Sequence, residues 1–261
     1  MVLAEMTWPE FREVSRDTVV LAPFAACEQH GPFLPFATDA VIASEVAARA
    51  EAVLGKEVLL LPTQWLGASQ HHLPFGALTA DVETHVRLVY ETCDSMLQAG
   101  FRRLFVLNGH GGNIDTMHLA LRQLDRRYPE VVLASASYWD VAATEIASIL
   151  EGPLKRVGHA CEVETSLMLW LRPDLVRREL IRDDHNFPAA ALRGVAIARS
   201  AAEWGTVGAE GFATRATAEK GERLLQAIVA RVVAVVRELR HTRPDGGRET
   251  DAPGEAAAGQ E

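Results

Sequence analysis

Apolar positions along this chain follow two alternating rhythms. Short continuous runs, Thr18-Val19-Val20-Leu21-Ala22, Glu57 to Leu61, Arg103 to Leu107 and Val131 to Leu133, have the form of strands buried on both faces. Between them, apolar residues recur at helical spacing. One such stretch runs from Ala40 to Leu54 with Gly55 as its cap, and another from Val82 to Gln98 with Gly100 as its stop. A third lies near Ile114 to Arg127, and Leu167 to Leu171 makes a short apolar helical run after Pro153. Thr217 to Leu239 reads as a closing helix, with Leu224, Leu225, Ile228, Val232, Val235 and Val236 on one face. Strands alternating with amphipathic helices predict an α/β fold with a mainly parallel sheet. Residues 1–240 read as one domain. Residues 241–261, rich in Pro, Gly, Ala, Glu and Asp, read as a disordered acidic tail. Arg172 to Thr214 has no assignable pattern, and there is no internal repeat.

Composition narrows the class without naming it. A hydrophobic fraction of 48% and a charged fraction of 23% over 261 residues are those of a soluble globular protein. The net charge of −9, with no local Lys/Arg cluster, argues against nucleic acid as a partner. No window is apolar for long enough to span a bilayer, and the N-terminus lacks a leader pattern. Cys27, Cys93 and Cys161 are odd in number and dissimilar in context, which suggests a reducing compartment. The expected location is the cytoplasm.

The chemistry gathers where apolar runs give way to loops or helix starts. Glu28-Gln29-His30 follows the first strand, and residues two apart in an extended segment point the same way. A surface turn at Gly31-Pro32 is the competing reading. Asp39 suits a metal ligand at a helix N-terminus; taken alone, it reads better as a plain N-cap. Asn108-Gly109-His110-Gly111-Gly112-Asn113 leaves the third strand directly. It has neither a dinucleotide Gly pattern nor a P-loop Lys, and a glycine-flanked imidazole suits close approach by a metal. His159 with Glu162 and Glu164 opens an apolar helix, where acids also serve as dipole complements, a stronger alternative for Glu162 than for Glu164. Imidazoles and carboxylates together favour Zn²⁺, Mn²⁺ or Fe²⁺ over Ca²⁺ or Mg²⁺. His71-His72 is placed at a pocket wall. Trp8, Trp65, Trp170 and Trp204 read as core or interface rather than substrate stackers.

Three ordered motifs, Glu28-Gln29-His30-Gly31-Pro32 with Thr38-Asp39, Asn108 to Asn113, and Gly158-His159-Ala160 with Glu164-Thr165-Ser166, resemble the creatininase (creatinine amidohydrolase) family. The resemblance runs from about Leu3 to Gly221. It implies a three-layer α/β/α fold, two divalent metal ions per chain (Zn²⁺ and/or Mn²⁺, sometimes iron), hydrolysis of a C–N amide-type bond and a homo-oligomer, often a hexamer. It makes Glu28, His30, Asp39 and His110 metal ligands, with Asp39 bridging, and His159 a catalytic residue that moves a proton. Tyr138-Trp139 is similar to an aromatic substrate-binding segment, which His72 would join. Creatinine-hydrolysing members carry a Glu ligand where this chain has Gly112, and a second Trp where it has Lys155-Arg156. Glu164 is the expected replacement ligand. The expected substrate is a small cyclic or linear amide. The competing functions are a peptidase-like role in mycofactocin-type peptide maturation and a non-catalytic metal-binding scaffold.

Overall fold

The computed structural model describes residues 1–184 and 207–243. Four parallel strands, β1 (Val19–Phe24), β3 (Val58–Leu60), β5 (Arg103–Asn108) and β6 (Val132–Ser137), form the main sheet in the order β3-β1-β5-β6. Two short strands, β2 (Cys27–Glu28) and β4 (Ala77–Leu78), pair antiparallel at its edge. Every residue of β1 is buried, as expected of a strand with neighbours on both sides and helices on both faces. Val19 and Leu21 pack into one core, and Val20, Ala22 and Phe24 into the other. The first core takes in α2 (Thr38–Leu54), α7 (Glu162–Leu171) and α8 (Ala218–Leu239). The second takes in α3 (Val82–Gln98) and α4 (Ile114–Arg127). The architecture is therefore helix, sheet, helix in three layers, with a parallel central sheet.

Strand order fixes where chemistry can sit. From β1 the chain crosses by α2 to β3 on one side, and by α3 it reaches β5 on the other. The order reverses between β1 and β5, which opens a crevice beyond their carboxyl ends. Glu28 and His30 follow β1, and His110 follows β5, so both motifs arrive at this switch point.

Some elements differ from the sequence reading. β1 continues past Ala22 through Pro23 to Phe24. The Pro23 carbonyl accepts from Gln64 N on the side where β3 has already ended, so the missing N–H costs no ladder bond. β6 extends beyond Leu133 through Ala134, Ser135 and Ala136, small half-buried residues that an apolar-run criterion passes over. Three helices were not anticipated: α1 (Trp8–Glu13), α5 (Tyr138–Val141) and α6 (Ala143–Ile149). Thr7 N and Oγ1 both donate to Glu10 and start α1. Asp39 is not an N-cap: Ala37 holds that position, and Asp39 lies inside the first turn of α2. Trp8, Trp65 and Trp170 are exposed rather than core, while Trp204 and the tail beyond residue 243 lie outside the described residues. Among the described residues no helix is long and apolar enough to cross a membrane.

Candidate metal centre

Two imidazoles approach one buried carboxylate from opposite sides. His30 Nε2 lies 3.0 Å from Asp39 Oδ1, and His110 Nδ1 lies 3.2 Å from Asp39 Oδ2. On the His110 side, Glu28 Oε1 is 3.2 Å from the same Nδ1. On the His30 side, Glu164 Oε1 is 3.9 Å from His30 Nε2. Glu28, His30, Asp39, His110 and Glu164 are all buried in the sheet-edge crevice. The surface-turn alternative for His30 is excluded, because its ring is wholly enclosed.

Local structure explains how each group is held. Asn108 at the end of β5 bonds around the turn, accepting from His110 N and donating to His110 O. Asn113 braces Asn108 Oδ1 and clamps the Ala68 N–H and the Ala25 carbonyl. Gly112 allows the loop carrying Ala68 to close over the turn; a Cβ there would meet Ala68 O at 2.2 Å and His110 Nε2 at 2.5 Å. A larger side chain at this position would have to displace that loop. Glu164 enters from the start of α7, where its Oε2 accepts from Cys161 N. His159 stands two residues before Cys161, followed by Ala160 at φ +48, a left-handed conformation uncommon for a residue with a Cβ.

The residues fit a divalent centre on two observations. Glu28 Oε1, Glu28 Oε2 and Asp39 Oδ2 are buried carboxylate oxygens that accept no hydrogen bond of acceptable geometry, a costly state without a cation. His30 Nδ1 is 3.1 Å from Glu28 O, and His110 Nε2 is 3.3 Å from Ala68 O and 3.2 Å from Ser69 Oγ. Each imidazole thus anchors one ring N–H and turns its other nitrogen to the cluster, the orientation that metal-ligating histidines adopt. Charge behaves accordingly. Burial opposes protonation of His30 and His110, and the surrounding carboxylates overcome it, holding both pKa values at about 10. Burial lifts Glu164 to about 7 despite His30, whereas the two imidazoles outweigh burial at Asp39 and lower it. Protons stand where a cation would.

His159 and His72 differ from that pair. The rings of His30, His159 and His72 stack in sequence, 4.3 and 4.4 Å between centroids. His159 Nε2 lies 2.8 Å from Gln29 O and 3.1 Å from Gln29 Nε2, and its Nδ1 turns inward, 3.8 Å from Glu28 Oε1. Burial, with His30 and His72 nearby, keeps the His159 pKa well below its ordinary value. Gln29 Oε1 accepts from Gly31 N, which leaves its Nε2 to donate to His72 Nδ1 at 2.9 Å. His72 Nε2 then faces Glu28 Oε1 at 3.3 Å.

A cavity of about 180 Å³ opens over this cluster. Trp139 and His72 line it. Tyr138 does not: its ring lies in the core, edge-on to Trp139 at 4.9 Å, because α5 turns adjacent residues to different sides. Gln29, Ser69 and Glu210 were not singled out from sequence, and Arg156 was noted only, with Lys155, as the place of a missing aromatic. Only Gln29, inside the first motif, carried a local signal.

The three-layer fold and the carboxylate–imidazole cluster at its switch point define a metal-binding α/β hydrolase. Residues 4–236 match the creatininase family model, described as creatinine amidohydrolase. The chain is 30% identical over 258 residues to creatinine amidohydrolase of Pseudomonas putida, covering 90% of this chain and 96% of that one. It is 32% identical over 219 residues to the mycofactocin precursor peptide peptidase of Mycobacterium tuberculosis, covering 80% and 81%. Among solved structures, a manganese creatininase superposes with TM-score 0.79 at 28% identity, over 91% of this chain and 97% of that chain. A Zn-Zn form of a creatininase mutant gives 0.76 at 28% identity over the same shares. The chain belongs to the creatininase family.

Proposed function

We propose that this amide-bond hydrolase of the creatininase family opens the C–N bond of a small cyclic or linear amide at a centre of two divalent ions. The observation that carries the proposal is the divided Asp39 carboxylate, with His110 on one oxygen and His30 on the other, and with Glu28 beside His110 and Glu164 beside His30. These five residues would hold the ions, Zn²⁺ or Mn²⁺ by the donor set and by the metals in the related structures. Such ions, when bound, supply a lowered water pKa and polarise a carbonyl oxygen. The chain itself supplies the proton handling. Neutral His159, with Nδ1 turned inward, accepts a proton from the attacking water and returns it to the leaving nitrogen. Trp139 and His72 border the substrate, and the small cavity suits a small amide better than a folded peptide segment. Likeness to peptidases of the same family adds no separate support for a peptide substrate.

Creatinine is not the proposed substrate, since Lys155-Arg156 stands where a second aromatic would stack on that ring. The proposal extends to a cytoplasmic homo-oligomer. Exposed Trp170 and Val53, which share a groove between α2, α7 and α8, provide an apolar face for it.

Metal analysis tests the ligand set. Wild-type protein should bind about two divalent ions per chain, and Glu164→Ala about one, with loss of amide turnover. Two ions retained in Glu164→Ala would remove that residue from the centre.

A further inference from the structure

Among the described residues, Arg156 is the only lysine or arginine on the wall of the cavity. We propose that it is a specificity residue that binds a carboxylate of the substrate, so that the enzyme takes amides bearing an anionic group; this rests on the amidohydrolase reading above.

The interior of the cavity is built from carboxylates and imidazoles, and the guanidinium stands apart at its mouth, 60% exposed. Arg156 Nη1 donates to Val157 O at 2.9 Å, and Nη2 donates to Glu210 Oε1 at 2.8 Å. A guanidinium has five N–H donors in a planar fork. The other three have no acceptor among the described residues. Glu210 takes a single bond and sets the plane, leaving donors arranged for a planar, bidentate acceptor, which a carboxylate is.

The mounting is rigid. His159 N donates to Glu210 O at 3.1 Å, and Glu210 N donates to His159 O at 2.7 Å. A Cβ on Gly158 would meet Glu210 O at 2.2 Å, so only glycine permits this pairing. One backbone pairing therefore holds both the proton-handling imidazole and the partner of the guanidinium. Arg156 lies three positions before His159, which limits their Cα atoms to no more than about 11 Å apart. A substrate reaching both carries its anionic group a few bonds from the scissile amide. A surface ion pair with no further role would predict that removing Arg156 changes no ligand preference.

The test uses the metal-loaded full chain and unreactive probes: malonate, succinate, glutarate and adipate, each against its monomethyl ester, by isothermal titration calorimetry. For at least one length the dicarboxylate should bind about tenfold more tightly than the ester, a preference that weakens as salt is raised. Arg156→Met should abolish the preference, while Arg156→Lys keeps part of it, retaining charge but not the fork. Absence of the preference at every length, or its persistence in Arg156→Met, overturns the proposal. The probes are read without turnover, so failure of the amidohydrolase reading appears in an amide panel and not in these titrations.

Discussion

The two sides of the Asp39 carboxylate are held by different means. On the sheet side, His110 and Glu28 sit directly beyond β5 and β1, braced by Asn108, Asn113 and the close approach at Gly112. On the helix side, His30 meets Glu164 and His159, which come from α7 and the loop before it, 130 residues from Gln29. That loop depends on a left-handed Ala160, a Gly158 pressed onto Glu210, and buried Glu162 tying the Glu151 and Gly152 amides to Lys220. One half is built by strand ends, the other by long-range assembly. The sheet side only binds. On the proposed reading the helix side binds, handles protons and carries the arginine at the mouth.

The sharpest break between the halves comes at His159. Its ring touches the centre through Glu28 and the His30 ring, yet its inward nitrogen is assigned to proton transfer. His159→Ala should retain both metal ions and lose about 10²–10⁴-fold in kcat, the usual contribution of general acid–base catalysis. Metal content, Tm and kcat measured on one preparation decide it. Wild-type kcat in a folded variant would end the assignment, and loss of an ion would make His159 a ligand instead.

The same division explains what sequence could show. The β1 and β5 ends are legible because an apolar run followed by Glu28-x-His30, or by a glycine-flanked His110, is local in sequence. Asp39 as a ligand needed the turn through Pro32 and Pro35, and sequence alone allowed a cap. The roles of Gln29, Ser69 and Glu210 depend on contacts made across the fold, which no window of the sequence contains. Tyr138 and Trp139 are adjacent and equally aromatic; only the turn of α5 buries one and sends the other to the cavity. The exposed Trp8, Trp65 and Trp170 rule out the core half of their core-or-interface reading, since apolar side chains are common on surfaces.

A smaller effect is expected at Gln29, which lies between the halves. Its side-chain amide lies against His72 Nδ1, and both that amide and its carbonyl lie against His159 Nε2. Gln29→Leu removes the amide and leaves the carbonyl. His72 is then free to turn from Glu28, while His159 keeps its backbone partner. Activity or metal affinity should fall about 10–100-fold, as for other residues that orient ligands. Weaker binding of one ion with unchanged kcat at saturating metal locates the effect on the sheet side. A lowered kcat with both ions held tightly would place it on His159.

The smallest change is a single methyl group at Gly112. Gly112→Ala places a Cβ 2.2 Å from the Ala68 carbonyl, a backbone atom that cannot rotate away, and 2.5 Å from His110 Nε2. The loop from Gly67 to His72 must move outward, and with it the carbonyl that anchors His110. Overpacking of this kind costs about 1–3 kcal/mol. At this chain length that lowers Tm by about 2–4 °C per kcal/mol. The sheet-side ion should weaken, and the helix-side ion should not. The larger substitution Gly112→Glu sharpens the comparison, because it restores the side chain that creatinine-hydrolysing members are expected to carry at this position. If the carboxylate of the second ion comes from α7, Gly112→Glu should not return the ion lost in Glu164→Ala, and should destabilise the fold further. Recovery of two ions in the double variant would show that the turn after β5 can supply both sides of the centre. The division drawn at Asp39 would then be a choice made by this chain at Gly112 and not a constraint of its fold.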